Sequence, residues 1–339
     1  TYDQFVWVPV ENAVLDLSST YSTLDNEGIK AKVQEQIKVG KYPMAIKTEK
    51  QTEGKDNYIG VLYSFSEVTE DGKTYVKVVP NSNWTPTTSS NFREPSAVSD
   101  YDTSSNLSQV NSILNTNYSD ATSFGNALQS QYNEMVEKVK NLGGFWVGRY
   151  ETSSMSNSAT RAQVSSKKGT TSGISSVKWY RMYAQQSIYS ELVLKSEKNK
   201  TPRTSSMIWG SQYDQIMIWM EGEASLEQTQ SRGKYYITNG VGKGNYGEIT
   251  IDGKKIEDGN DNPSSPASTG SQETYRVKNI YDLAGNAYEW TLEANHTGFR
   301  VRRGGNCSAT DTSYTRPDNR SVDSPTGSIS TYGSRLTLY

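Results

Sequence analysis

Apolar residues in this chain come as short runs and helical stripes, separated by long polar stretches. Phe5-Val-Trp-Val-Pro-Val10 is a nearly continuous apolar run and predicts a strand. Ile29, Val33 and Ile37 recur at i, i+4 and i+8 within the polar stretch Asn26 to Val39, which predicts a surface helix. Tyr58 to Tyr63 and Thr74 to Val79 flank a Glu-Asp-Gly turn and predict a hairpin. Asp120 to Asn141 predicts a longer helix. Asp120 suits its N-cap, Leu128, Tyr132, Met135, Val136 and Val139 share one face, and Gly143-Gly144 ends it. Phe145 to Tyr150 then predicts a strand. Ser176 to Leu194 and Met207 to Met220 carry aromatics and aliphatics at helical spacing, with Ile208, Tyr213, Ile216, Trp219 and Met220 placed to face a core.

The polar stretches predict loops. Pro80 to Ser108 is rich in Ser, Thr, Asn and Pro and reads as a long surface loop. Ser153 to Ser176 is low in complexity and reads as mobile. Ser231 to Glu273 is Gly-rich, with a short hairpin expected within Tyr235 to Ile251. With no internal repeat and no linker, residues 1–339 read as one elaborated domain, decorated by insertions over about 80–176. Periodicity alone supports an α+β, loop-rich class.

Composition narrows the function classes. Hydrophobic residues make up only 33% and mean hydropathy is −0.74, so the 23 Tyr and 7 Trp must supply much of the core. Such aromatics also serve binding surfaces, since Tyr brings large area and a polar tip at low rotamer cost. The balance of 35 basic against 37 acidic residues argues against a nucleic-acid footprint. No apolar run is long enough to span a membrane. Cys307 is the single cysteine, which excludes an internal disulfide and a multi-Cys metal site. His296 is the single histidine, which excludes a multi-His zinc site and leaves any Ser/His/Asp set dependent on that residue. The first residue is Thr1 rather than Met, which suggests removal of a signal peptide, lipid anchor or virion-attachment segment.

The most specific motifs lie near the end: Gly285-Asn-Ala-Tyr-Glu-Trp290, then Arg303-Gly-Gly-Asn306, then Gly333-Ser-Arg-Leu-Thr-Leu-Tyr339. Upstream, Phe5-Val-Trp-Val-Pro, Gly144-Phe-Trp-Val-Gly-Arg-Tyr-Glu151 and Ile208-Trp-Gly-Ser-Gln-Tyr-Asp214 accompany them. Together they resemble the formylglycine-generating enzyme (sulfatase-modifying factor) type of C-type lectin fold, which implies that fold with inserted helices and hairpins. The strand Leu336 to Tyr339 is then expected close to Phe5–Val10. The resembled enzymes use two cysteines to bind copper. The matching positions here are Ala309 and Tyr314, and neither supplies the thiolate that a soft metal needs. The resemblance therefore implies a catalytically inert member with no required cofactor.

The same family binds calcium through a segment that matches Asp282, Gly285, Ala287 and Glu289. Two carboxylates and two backbone carbonyls suit a hard cation, which makes a structural calcium ion the implied cofactor. The plainer reading is that Asp282 caps a turn and Glu289 pairs with an arginine such as Arg303.

Cys307 to Tyr332 is mostly Ser, Thr, Asp, Asn, Tyr and Gly, and no Lys, Glu, Gln, Met or Trp occurs from Asn295 to Tyr332. This resembles the variable proteins of diversity-generating retroelements, whose adenine-directed mutagenesis rewrites such segments. The resemblance implies a variable region over about 295–332. Its expected ligand-binding positions are His296, Phe299, Arg302, Cys307, Ala309, Tyr314, Asp318, Val322, Asp323, Ser328, Ser330 and Tyr332. The implied protein is a hypervariable receptor- or ligand-binding adhesin of a phage or microbial surface, extracellular or on a virion. Its partner is a protein or glycan receptor on another cell, with no nucleic acid and no membrane insertion. The alternatives are a non-diversified lectin-like cell-surface or virion structural protein and, more remotely, a formylglycine-generating-type oxidoreductase.

Overall fold

The structure, a computed structural model, describes residues 2–50, 55–86, 92–94, 104–169, 177–193, 203–221, 249–251, 254–256, 266–295, 298–309 and 316–339. It is a loop-rich α+β arrangement of several small sheets and six α-helices among the described residues: α1 (Asn26–Lys38), α2 (Ser104–Leu114), α3 (Ala121–Leu142), α4 (Trp179–Ser187), α5 (Tyr189–Val193) and α6 (Gly210–Glu221). None of the described helices is long and apolar enough to cross a membrane.

The strongest periodic signals form as their sequence dictates. In α1, Ile29, Val33 and Ile37 are the buried stripe, and the Asp25 side chain caps the first turn through the Gly28 N–H. In α3, Asp120 and Ser123 form a reciprocal capping box, and Gly143 ends the helix in the left-handed region at φ 73°. Leu128, Tyr132, Met135, Val136 and Val139 are all buried there, joined by Phe124. In α6, Tyr213, Ile216 and Met220 are buried with Ile208 just upstream, while Trp219 is only half-buried.

One four-stranded antiparallel sheet joins distant parts of the chain in the order Phe5–Pro9, Gly144–Gly148, Leu336–Leu338, Ser205–Met207. The first and last strands of the sequence thus both lie against Gly144–Gly148, one on each side. A second four-stranded sheet runs Arg320–Asp323, Arg300–Arg303, Tyr288–Ala294, Tyr332–Ser334, with the last pair parallel.

Several expectations need correction. The hairpin at Glu70-Asp71-Gly72 pairs Tyr63–Glu70 with Lys73–Pro80. Tyr58 belongs instead to the strand Asp56–Gly60, which pairs with Ala45–Lys50. Pro80 to Ser108 is not simply surface loop: Trp84 and Phe92 are buried, Arg93 bridges Ala294, and α2 starts at Ser104. Hydroxyl and amide hydrogen bonds let such polar sequence pack. The same holds for Ser153–Ser166, expected to be mobile. Ser153 and Ser165 exchange two backbone hydrogen bonds of 2.9 and 3.0 Å, with Val164 buried beside them. Residues 170–176 lie outside the described residues, as does most of Tyr235 to Ile251. A described hairpin pairs Ile249–Ile251 with Lys254–Ile256.

Candidate functional site

The second sheet carries the resembled motifs on an unusually polar interior. All seven residues of Tyr288–Ala294 are buried, including Glu289, Thr291 and Glu293. A buried carboxylate needs a paired charge and hydrogen bonds. Glu289 receives both from Arg335, whose Nε lies 3.0 Å from each of its carboxylate oxygens. The same guanidinium donates to the Gly148 carbonyl at 3.0 Å and the Tyr281 carbonyl at 2.9 Å, which ties the two sheets together. Asp214 of α6 accepts from Arg303 at 2.6 Å, Arg320 at 3.1 Å and the Tyr63 N–H at 2.7 Å. Arg320 Nε also lies 2.9 Å from Glu293 Oε1, as an ion pair rather than an aligned hydrogen bond. Arg300 places its guanidinium 4.6 Å from the Trp179 ring centre.

Above this framework the expected display positions divide into three groups. Phe299 and Ser330 are exposed, while Arg302, Asp318, Val322, Asp323 and Ser328 are half-buried. Arg302 lies between two rings, 4.3 Å from the Tyr288 centre and 4.4 Å from that of Tyr332. Asp323 lies 3.5 Å from it, and the Tyr332 hydroxyl donates to the same carboxylate. Burial, followed by that hydrogen bond, pushes the Tyr332 hydroxyl well above its ordinary range. Asp318 pairs with Arg316.

Cys307, Ala309 and Tyr332 are buried, against the expectation that every display position faces solvent. The Cys307 N–H donates to the Asn286 carbonyl at 2.9 Å, which draws it under the Gly285-Asn286 turn. The Ala309 N–H folds back on to Asn306 at 3.2 Å. Tyr332 pairs in register with Tyr288 and sets its ring 5.3 Å from that of Trp290, which is itself fully buried. His296 and Tyr314 lie outside the described residues. Sequence reasoning passed over Ile329, which is 48% exposed beside Ser328 and Ser330. A lone aliphatic in a Ser-rich stretch was the available signal. It also missed Tyr288 as half of the clamp on Arg302, because aromatic stacking across a parallel strand pair has no local spacing.

The calcium set does not fit its expected role. Asp282 and Glu289 converge, but Asp282 Oδ2 accepts from Thr269 Oγ1 and Gly270 N–H, each at 2.8 Å. Both Glu289 oxygens face Arg335, so a divalent ion there would meet a guanidinium. Arg303 is the cross-strand neighbour of Glu289, yet its ion pair goes to Asp214. The Gly285 N–H donates to the Gly304 carbonyl at 2.7 Å and the Ala287 N–H donates to Glu151 at 3.2 Å. Among the described residues no group of three or more His, Cys, Asp or Glu side chains is set to hold a metal.

The buried acids make a pH prediction. Burial is the leading cause that pushes Glu94, Glu151, Asp282, Glu289 and Glu293 above the ordinary carboxylate range. Glu94, which accepts from the Gly210 and Ser211 N–H groups at the start of α6, is raised to about 8. A carboxylate whose folded value exceeds its unfolded one binds more protons when folded. Stability is then lost as pH rises between the two values, here from 4.5 to about 8 for Glu94. Asp16, Asp120 and Glu273 are lowered and act in the opposite sense, but only below the ordinary carboxylate range. Urea unfolding is expected to give a midpoint that falls from about pH 5 to about pH 8. A midpoint that rises over this interval would contradict the assignment.

No protein-family model matches the chain, and no curated protein matches it. Among solved structures it is similar to Treponema denticola variable protein 1, at 16% identity and TM-score 0.35, over 57% of this chain and 84% of that one. PvdO from Pseudomonas aeruginosa gives 15% identity and TM-score 0.36, over 58% of this chain and 80% of that one. CarF gives 12% identity and TM-score 0.27, over 48% and 66% respectively. Likeness at this level leaves the chemistry and partners of the chain to its own residues.

Proposed function

We propose that this chain is a catalytically inert binding protein with the C-type lectin fold of the formylglycine-generating enzyme type. It presents a changeable rim on a fixed, ion-paired frame. The observation that carries this reading is the contrast within one sheet. Glu289, Glu293, Arg300, Arg303 and Arg335 are all buried in the frame. Phe299 and Ile329 meanwhile expose apolar surface in the segments that lead into the strands Arg300–Arg303 and Tyr332–Ser334 of that sheet. Aromatic and arginine side chains at a rim are the usual carriers of interface energy. The partner is a protein or glycan receptor on another cell, with the chain placed extracellularly, on a cell surface or on a virion. Diversification by a retroelement accounts for the Ser-, Thr- and Tyr-rich composition of the rim.

The test replaces the rim residues together: Phe299→Ser, Asp318→Asn, Ser328→Asn, Ile329→Thr and Ser330→Asn. Exposed substitutions such as those at Phe299, Ile329 and Ser330 are individually within about 0.5 kcal/mol, and Asp318→Asn keeps the shape of the half-buried side chain beside Arg316, so the melting temperature is expected to shift by only about 3 °C. A library randomised at the same positions should yield folded members that bind different target cells. Collapse of the five-fold variant, or a folded library with uniform binding, overturns the reading. A fixed lectin-like surface protein is the second reading, favoured by the burial of Cys307, Ala309 and Tyr332. Sequencing the locus across isolates separates the two, because only diversification concentrates changes at the exposed positions.

A further inference from the structure

We propose a second binding site, separate from the rim, for a tetrahedral oxyanion such as a sulfate or phosphate group. It is built on the stacked pair Tyr150 and Tyr281 at the end of the strand Gly144–Gly148. The two rings lie 5.1 Å apart and 23° from parallel. Gly270 holds the pair from one side. It sits at φ 71°, and a side chain there would begin 2.5 Å from the Tyr150 ring, so the backbone packs directly on the aromatic face.

Three cations surround this stack. The Arg149 guanidinium lies 5.7 Å from the Tyr150 centre and 5.4 Å from that of Tyr281. Arg276 lies 6.0 Å from Tyr281 on its own approach. Lys168 lies on the Gly270 side of Tyr150, its Cγ 3.3 Å from where a side chain at Gly270 would begin, and its charge, like that of Arg149, acts on the Tyr150 hydroxyl. The neighbouring acid is Glu273, and it is divided three ways. Lys168 lies 3.3 Å from it, Arg276 lies 3.4 Å from it, and the Tyr281 hydroxyl donates to it at 2.6 Å. Asp282 and Glu151, next in sequence to the two tyrosines, are buried behind them on Thr269, Gly270, Asn286 and Ala287.

Arg149 is the informative member. It is half-buried, forms no ion pair, and its Nε is buried without a hydrogen-bond partner among the described residues. A guanidinium held against two rings keeps its donors in a fixed fork, so little freedom is lost when an anion arrives. Three cationic donors beside one aromatic pair suit an oxyanion with several acceptors, and charge-assisted bonds to it are the strong class.

Calorimetric titration of the intact chain at low ionic strength tests the site. The probes are inorganic sulfate, inorganic phosphate, a sulfated monosaccharide and its unsulfated parent. The oxyanion probes are expected to bind and the neutral sugar not. Arg149→Gln is expected to weaken binding about tenfold while the chain still melts cooperatively. Glu273→Gln should tighten binding, because it releases Lys168 and Arg276. Lys32→Gln, on α1 outside the cluster, should leave binding unchanged. Tighter binding of the saccharide than of either ion identifies an ester on a glycan as the source, and equal binding identifies the free ion. If Arg149→Gln fails to fold, Arg276→Gln carries the test with the same expected loss. Unchanged affinity in the folded variant, equal loss in Lys32→Gln, or no binding of any probe below about 10 mM overturns the proposal.

Discussion

Arg335→Met is expected to lower the stability of the chain by about 3–5 kcal/mol, because it strands a buried carboxylate. Arg335 and Glu289 are both fully buried, and the guanidinium also satisfies the carbonyls of Gly148 and Tyr281. Methionine matches much of the volume, so the loss reports charge and hydrogen bonding rather than a cavity. Urea unfolding of the single variant and of Arg335→Met/Glu289→Met gives the check. The double variant should recover a substantial part of the loss, since an ion pair replaced whole by apolar residues is often nearly neutral. A single variant as stable as the parent would show that the pair does not hold the two sheets.

Asp214→Leu should cost a similar amount, about 3–5 kcal/mol, for the opposite charge reason. Asp214 is fully buried and serves Arg303, Arg320 and the Tyr63 N–H, so three donors lose their acceptor at once. Arg320 begins the rim strand Arg320–Asp323, and its cross-strand partner is Arg303. Asp214→Asn keeps the shape and one acceptor and should fall between the parent and the leucine variant in melting temperature. If asparagine melts with the parent, the arginines are held by Glu293 alone and the hub assignment is wrong.

The elements that could be read from sequence are those whose cause is local. The α3 stripe, the Asp120 cap and the Gly143 stop all lie within one stretch, so spacing alone reveals them. The nearness of Phe5–Pro9 and Leu336–Leu338 was also readable, because few other runs in the chain are so apolar, but not the strand Gly144–Gly148 that lies between them. The hairpin partner of Lys73–Pro80 was misjudged by a few residues. Tyr58 to Tyr63 is a continuous apolar run, and only tertiary pairing divides it at Val61-Leu62. At the site, the palette of small and aromatic residues carried no information about burial. Cys307, Ala309 and Tyr332 belong to the same palette as Ser330 and are buried by the turn at Asn286 and by the Tyr288–Trp290 rings. Glu289 was read as a ligand through the family resemblance, or as the partner of Arg303. Its actual partner, Arg335, is 46 residues away, where no local spacing points to it.

The strand Leu336–Leu338 follows residues 295–332 in the chain, yet it sits inside its sheet between Gly144–Gly148 and Ser205–Met207. A ribosome therefore emits the whole rim before the sheet beneath it has a centre. Any reading-frame error or premature stop within residues 295–332 yields a chain without that strand and without Arg335. Such a product leaves Gly144–Gly148 with an open edge and Glu289 without its counter-charge, and proteases act on chains in that state. The order of synthesis thus makes the frame under residues 295–332 a check on whether the chain was finished.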